Sequence, residues 1–455
     1  MSPWSMPPRR FAPIVAMLLA AASYVPAHAQ AERYWTESYG TEATLLGGVV
    51  IGGCDDLSST FYNPGALGLV EQPAFILSAH VWERQAITLK DEQPESDDLS
   101  TSSIHGVPGF IGGSLQFSWL GSSKLCYSVL SRQQTDVRLA APVDRSTPTS
   151  GPRGGEVLLE KEVSDTWGGL TWASRAGTRF GYGATLYGAV RSDLERREGV
   201  AARTSEDGQT AGVRILENNL SDGRLLMKAG LQYTAPRWRA GLTVTTPSLH
   251  VFGSGSSWLF RSNSGFDTDG DGAPDSVVAV SYQQELEGRF KTPWAIGAGG
   301  ALDLGRTTIL ASVENYGAVA DYDVLDTMPV TASDGRVIPN TVRRGADSVF
   351  NWGVGVRQDL GDSLLVYASF ITDRSAAPEE DLTGQLATPW DLYHVAGGAK
   401  FAVGKFDLVL GLSYAFGSAP VPALSDPVVE GGPADGEIEA RTSRLRLLFG
   451  FSVGI

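Results

Sequence analysis

A run of aspartates in the second half of the chain has the spacing of a calcium-binding loop. In the stretch DTDGDGAPD, positions 1, 3, 5 and 9 of such a loop are occupied by Asp267, Asp269, Asp271 and Asp275. Gly272 supplies the turn at position 6, but Val278 stands at position 12, where a full EF-hand has a bidentate glutamate. These residues predict a shortened loop that holds a structural calcium ion. The alternative is an acidic, soluble loop that binds no metal.

Residues that could carry catalysis are few. After residue 29 the histidines are His80, His105, His250 and His394, and none lies in a recognisable nucleophile motif. The serines of GGSLQ and GLSYA lack the G-x-S-x-G pattern of a nucleophile elbow. We therefore expect no enzymatic activity and no required cofactor.

Alternation of apolar residues with polar or small ones is the strongest pattern in the chain. In the C-terminal sequence SRLRLLFGFSVGI, Leu448 is the one apolar residue off the apolar face, which carries Leu445, Leu447, Phe449, Phe451, Val453 and Ile455. The pattern recurs in FDLVLGLSYAF, RFGYGATLYGAV and WRAGLTVTT. Such a repeat of two over about 10 residues is typical of a membrane-spanning β-strand, with apolar side chains toward lipid and the others toward the lumen.

Short and long connections separate the alternating stretches. Short turns are predicted at 120–124, 174–179, 234–238, 304–307, 360–363 and 403–406. Longer polar loops are predicted at 195–222, 252–276, 319–347 and 418–439. This asymmetry is typical of an outer-membrane barrel and argues against a soluble β-sandwich. Six turns join twelve strands, and one more at each end gives an all-β, transmembrane antiparallel β-barrel of about fourteen strands, with 277–303 readable as one strand or two.

The first 29 residues are predicted to be a secretory signal peptide. Arg9 and Arg10 precede an apolar core at 11–22, and the sequence Ala-His-Ala at 27–29 forms a cleavage site. The mature chain then divides into an N-terminal hatch at 30–73 and an outer-membrane β-barrel at 74–455. We expect a monomer in the outer membrane of a Gram-negative-type bacterium, in contact with its lipid and lipopolysaccharide.

Residues 30–73 do not alternate, and we predict that they plug the lumen. A barrel of this size has a lumen too wide for its own wall side chains to fill. Asp55 and Asp56 precede the strong turn signal Asn63, Pro64 and Gly65. The lumen bases expected to meet these aspartates are Arg179, Arg239 and Lys228. The alternative is a periplasmic tail, which would leave apolar residues of the segment in water.

The chain has two cysteines, too few for a disulfide scaffold. In KLCYSVL, Cys126 alternates with apolar residues and is therefore expected to face the lumen, where Cys54 of the predicted plug also lies. Because export leads to an oxidising compartment, the sequence is compatible with a disulfide between Cys54 and Cys126. Two separate buried thiols are the alternative.

Four stretches carry a resemblance to a known family. GGCDDLSSTFYNPGALG is similar to the hatch of the FadL/TodX-type outer-membrane transporters of long-chain fatty acids and other hydrophobic compounds. MKAGLQYTAPRWRAGLTVTTPS, KTPWAIGAGGALDL and NWGVGVRQDLGDSLLVYASF resemble the family's barrel segments. Gly65 stands where the family has alanine, which predicts a looser turn. The resemblance implies a hatch-gated, fourteen-stranded barrel for diffusion-driven uptake of hydrophobic compounds; the alternative is a structural or assembly barrel on the same scaffold.

The expected partners are hydrophobic small molecules. Candidate aromatics for catching them are Trp258, Phe260 and Phe266, which lie in the predicted loop after the Thr-Pro-Ser sequence, and ordinary loop packing is the alternative role. The formal net charge of -15 argues against nucleic acid as a partner, because phosphate binding needs a basic surface.

Calcium binding can be tested by limited proteolysis with and without a chelator. If the four aspartates hold a cation, chelation should make the region from about 252 to 278 sensitive to protease and leave the barrel intact. Restoring calcium should restore protection, whereas magnesium at the same concentration serves as the control. Equal cleavage under all conditions would leave only the acidic-loop interpretation.

Overall fold

The computed structural model describes residues 33–70, 73–90, 99–142, 153–205, 208–266, 275–361, 363–377, 390–422 and 437–454. The predicted signal peptide at 1–29 lies outside these ranges, as do Asp267, Asp269 and Asp271 of the predicted calcium loop. No helix in the described ranges is long and apolar enough to cross a membrane.

The described ranges consist mainly of β-strands. Two short α-helices, α1 (Glu42–Leu45) and α2 (Ser59–Tyr62), and a 3-10 helix at Ala66–Gly68 precede the first strand, and a second 3-10 helix occupies Ser118–Leu120. The strands are β1 (Pro73–Lys90), β2 (Leu99–Leu115), β3 (Lys124–Pro142), β4 (Arg153–Ala176), β5 (Phe180–Ser205), β6 (Gly208–Thr234), β7 (Trp238–Thr245), β8 (Leu249–Phe266), β9 (Asp275–Glu287), β10 (Ala295–Leu304), β11 (Thr307–Tyr316), β12 (Val319–Leu325), β13 (Val330–Thr331), β14 (Val337–Ile338), β15 (Val342–Ala346), β16 (Val349–Gly361), β17 (Leu364–Asp373), β18 (Leu392–Val403), β19 (Phe406–Pro422) and β20 (Glu437–Gly454).

Fourteen of these strands close into an antiparallel barrel, as the sequence predicted. Their order around the ring is β1 to β7, then β10, β11 and β16 to β20, and β20 pairs with β1 to complete the ring. Each of the six predicted short turns lies between consecutive barrel strands, namely β2–β3, β4–β5, β6–β7, β10–β11, β16–β17 and β18–β19. The region 277–303 contains parts of two strands, of which only β10 belongs to the ring.

At the end opposite the short turns, several strands run well beyond the predicted boundaries. The predicted loop at 195–222 is instead a continuous hairpin of β5 and β6, paired as far as Ser205 and Gly208. The predicted loop at 252–276 holds most of β8, which pairs with the far half of β6 and carries β9 on its other edge. The sequence did not predict these extensions because their outward-facing residues are polar. Backbone pairing continues there, although the outer face no longer has to be apolar.

Alternation along each barrel strand separates an apolar outer face from a polar inner face. On β5, Leu186 and Val190 are exposed on the outside, whereas Tyr187 and Ala189 between them are buried. On β20, Arg444, Arg446 and the exceptional Leu448 are all buried on the inner face. The assignment of faces from sequence is therefore confirmed for these strands.

Residues 33–70, here called the N-terminal segment, contact inward-facing parts of strands around the ring. Helix α1 contacts β17, β18 and β19, α2 contacts β3 and β5, and the 3-10 helix at Ala66–Gly68 contacts β4, β5 and β6. The segment's apolar side chains are mostly buried, and Tyr39, Leu45 and Val49 are fully so. These contacts place the segment inside the barrel.

Candidate functional site

The predicted turn at Asn63, Pro64 and Gly65 is hydrogen-bonded to the barrel wall through the side-chain amide of Asn63. Its Nδ2 lies 2.8 Å from Ile51 O, 3.0 Å from Leu231 O on β6 and 2.9 Å from Gln232 Oε1, and Asn63 is fully buried. Its Oδ1 accepts a hydrogen bond from the Gly65 backbone N–H at 3.0 Å. One side chain thereby joins two parts of the segment to the wall.

Gly65 allows close packing against the barrel wall. Its backbone is helical, with φ of -65°, so the conformation itself does not require glycine. A Cβ at this position would, however, lie 2.5 Å from Gly230 O on β6. Gly52 is in the same position against β10, where a Cβ would lie 2.4 Å from Gly299 O. The glycine at position 65 therefore lets two backbones touch, and the looser turn expected from the alanine-to-glycine difference stays a prediction.

Asp55 and Asp56 are neighbours in sequence but have different surroundings. Asp55 is half-exposed and accepts hydrogen bonds from Arg239 Nη1, with the shorter contact at 2.6 Å, and it lies 3.6 Å from Arg357 Nη1. Asp56 instead accepts bonds within the segment, from Ser58 N at 2.8 Å and Thr41 Oγ1 at 2.9 Å. Burial raises the pKa of the Asp56 carboxyl, and the hydrogen bonds from Ser58 only partly oppose that rise. Asp55 therefore joins the segment to the wall, whereas Asp56 shapes the segment itself.

Sequence reasoning missed further contacts between the segment and the wall, among them those of Glu42 and Asp373. Glu42 pairs with Lys400 and lies 3.6 Å from Arg357. Burial would raise the pKa of Glu42, but the Lys400 and Arg357 charges outweigh burial and lower it. Asp373 on β17 accepts hydrogen bonds from the backbone N–H groups of Tyr34 (3.1 Å) and Trp35 (2.8 Å). The alternation of inward and outward residues along each strand could have indicated these contacts, because it places Lys400, Arg357 and Asp373 on inner faces.

Above the segment lies a small cavity, with about 30 Å³ of space for the centre of a water-sized probe. Five aromatic rings line it beside charged side chains: Tyr34 and Phe61 of the segment, together with Trp167, Phe290 and Tyr316. Four of its charged groups have partners: Lys228 Nζ lies 3.3 Å from Glu314 Oε1, Arg132 Nη2 donates to Tyr34 O at 2.7 Å, and Asp165 pairs with Arg224. The cavity therefore offers ring surface and polar groups that are already bound.

Backbone pairing in the barrel wall is interrupted beside this cavity. Strands β2 and β3 pair only from Phe110 and Leu130 to Leu115 and Leu125, although β2 pairs with β1 as far as Leu99. Strand β3 continues along β4 to Pro142, so β2 and β3 lack mutual pairing beyond Leu130 within the described residues. Two cavity-lining residues, Arg132 and Gln133, directly follow this point on β3.

Of the predicted loop aromatics, Trp258 and Phe260 lie away from this cavity. Both belong to β8, where they pair across the sheet with Tyr282 and Val280, two exposed residues of β9. The side chain of Phe266 lies outside the described part. A role for these residues in catching substrate stays a prediction.

The metal and cysteine hypotheses have separate outcomes. Asp275 begins β9, and the described residues contain no group of three or more potential ligands that could hold a metal ion. Calcium binding stays a prediction because the other three aspartates lie outside the described ranges.

Cys54 and Cys126 are both buried free thiols, with Cys54 Sγ 3.2 Å from Ser58 Oγ, so the structure does not contain the disulfide that the sequence left open.

Comparison with known proteins supports the fold. No family model matches the chain, and no curated protein matches its sequence. The fold is similar to that of a solved Pseudomonas aeruginosa FadL homologue, with 10% identity and a TM-score of 0.58 over 92% of this chain and 99% of that chain. It is also similar to the P. putida toluene transporter TodX (11% identity, TM-score 0.57) and the Ralstonia pickettii toluene transporter TbuX (10% identity, TM-score 0.55), each over 92% of this chain and 99% of the other. The fold implied by the family resemblance is therefore confirmed.

Substitution of Asn63 tests how the N-terminal segment is held. Asn63→Ala leaves the buried Ile51 and Leu231 carbonyls without their amide donor, a loss of about 1–3 kcal/mol. Hydrogen exchange at 49–68 should therefore become faster, while exchange in the barrel strands stays unchanged. Asn315→Ala, which removes the same side chain from β11, where Asn315 is only partly buried, is the matched control. Equal exchange in both variants would show that Asn63 does not fasten the segment.

Proposed function

We propose that this protein is an outer-membrane channel through which hydrophobic compounds diffuse into a Gram-negative cell. The observation that carries this proposal is an aromatic cavity inside a closed barrel, above the N-terminal segment and beside an opening in the wall. A pore for polar solutes needs an open, water-filled lumen, whereas here the lumen contains a packed segment. The similar folds of a FadL homologue and two toluene transporters support the same function.

The outer face of the barrel supports a location in an outer membrane. Apolar side chains such as Leu186, Leu410 and Leu412 are exposed there, as lipid contact requires. The short turns would lie on the periplasmic side, and the extensions of β5, β6, β8 and β9 would project outside the cell.

The substrate that fits the cavity is uncharged, and an aromatic or other hydrocarbon is favoured over a fatty acid. Ring-lined walls provide stacking and edge contacts for such a molecule. Lys228 is already paired with Glu314, and Arg132 is already bound to Tyr34 O, so a carboxylate would have to break existing contacts. An uncharged ring can bind without breaking these contacts.

The route that we infer leads from the outside into the cavity and then sideways through the wall. Beyond Leu130, the described parts of β2 and β3 are not paired with each other next to cavity residues Arg132 and Gln133, so a molecule could leave there toward the lipid. The N-terminal segment would act as the hatch, because it blocks the straight path to the short-turn side. Diffusion alone suffices, since apolar molecules partition favourably into lipid.

Uptake by intact Gram-negative cells expressing the protein tests the function. The panel would be labelled toluene, an alkane, a long-chain fatty acid and a small sugar, with only the apolar compounds expected to enter faster than in cells without the protein. Ala295→Trp should abolish this gain, because it fills the cavity from β10. Ala298→Trp, on the outward face of the same strand, should leave it intact. Equal entry with and without the protein would favour the structural or assembly barrel.

Deletion of residues 33–70 tests the hatch. The strands pair without the segment, so the barrel should still fold and insert, but its emptied lumen should conduct ions in planar bilayers. The full chain should be nearly silent. A deletion variant that inserts and conducts no more than the full chain would show that the segment does not close the lumen.

A further inference from the structure

The excursion between β11 and β16, residues 317–348, folds back over the extended strands and is here called the lid. It contains β12 to β15, with β12 paired to β15 and β13 paired to β14. Val330 and Ala332 of the lid pack against Leu259, Val277 and Ala279 of β8 and β9. The lid is therefore a folded unit with its own apolar contact to the strand extensions.

A buried arginine joins the lid to the inner face of β5. Arg344 on β15 lies 2.8 Å from Asp193 and 3.2 Å from Glu195. The three side chains are nearly inaccessible to solvent, with at most 9% of any of them exposed. The adjacent Arg343 makes the opposite kind of contact, an ion pair with Asp323 in which both side chains are well exposed.

Asp193 also connects the lid to Phe290, a residue that lines the cavity. Asp193 also pairs with Arg191 at 3.0 Å, and the Arg191 guanidinium lies over the Phe290 ring at 4.0 Å. Arg224, which pairs with Asp165, lies 4.9 Å from the same ring. Phe290 is almost fully buried and lines the cavity, so its position bears directly on access to that space.

The backbone on both sides of Phe290 is bound to the lid as well. Arg289 N donates to Val324 O at 3.0 Å, and Lys291 N donates to the Tyr322 hydroxyl at 3.2 Å, both acceptors lying on β12. Gly288 forms an isolated β-bridge with Leu325 of the same strand. A displacement of β12 would therefore move the chain that carries Phe290.

We propose that Phe290 is the outer gate of the cavity and that the lid holds this gate shut. Two sets of contacts connect the lid to Phe290. One is the ion pairs that link Arg344 through Asp193 to Arg191, and the other is the hydrogen bonds that residues 289 and 291 donate to β12. When the lid lifts, Arg191 is released from the Phe290 ring and Phe290 moves away from the cavity. The inference rests on the proposed function for its biological meaning, because the gate would control entry of the hydrophobic compound.

Access to a thiol in the cavity measures the gate without any transport assay. Ala295→Cys places the thiol on the cavity wall, in a background in which Cys54→Ser and Cys126→Ser remove the native thiols. The probe is sodium (2-sulfonatoethyl) methanethiosulfonate, which is charged and does not partition into lipid, so it reaches the thiol from the aqueous side of the protein in lipid nanodiscs. Arg344→Gln should raise the modification rate by about tenfold or more, because losing one member of a buried ion pair strongly weakens the closed state.

Two further variants make the result decisive. Arg343→Gln, which removes the exposed ion pair one residue away, should leave the rate unchanged. Phe290→Ala should raise the rate with every ion pair intact, and heat-dependent gel mobility would verify that each barrel is folded. A folded Phe290→Ala variant that reacts at the parent rate would overturn the proposal, as would equal rates for the two folded arginine variants. A failed uptake assay with a positive labelling result would reject the proposed function and keep the gate.

Discussion

Closing fourteen antiparallel strands into a ring pairs the backbone of each strand with two neighbours, and that closure determines the width of the interior. The inner side chains cannot fill a space of this width by themselves. The space is occupied by the N-terminal segment, whose helices reach strands on opposite parts of the ring. Because the segment replaces water, each inward charge that it covers needs a partner, and this requirement shapes most of the polar contacts in the lumen.

Close backbone packing and paired charges hold the segment together with the wall. At Gly65 and Gly52 the segment touches glycines of β6 and β10, where any side chain would force the backbones apart. The charged contacts also organise the cavity: Glu314 on β11 accepts hydrogen bonds from Trp35 Nε1 at 2.9 Å and from Lys228 Nζ at 3.3 Å. Movement of the segment would therefore change the cavity as well, since the two share these residues.

The extended strands carry a second set of buried charges on the far side of the cavity. Asp193 lies between Arg191 of its own strand and Arg344 of the lid, and Asp222 accepts a hydrogen bond from the Phe290 backbone at 3.0 Å. Buried ion pairs contribute little net stability compared with apolar packing, but breaking one is costly. They therefore define one arrangement of the lid sharply.

The all-β class, the six short turns, the strand count of fourteen and the inward direction of residues such as Arg446 and Cys126 could be read from the amino-acid sequence. Alternation and turn residues are local properties, so one sequence was enough to read them. Three features became visible only in the folded chain: 195–222 is a strand extension, β2 and β3 separate beyond Leu130, and rings from distant parts of the chain meet in one cavity. Those features depend on the register between strands and on what packs inside the ring. Neither leaves a periodic signal along the chain, because the contacting residues are up to several hundred positions apart, as are Trp35 and Glu314.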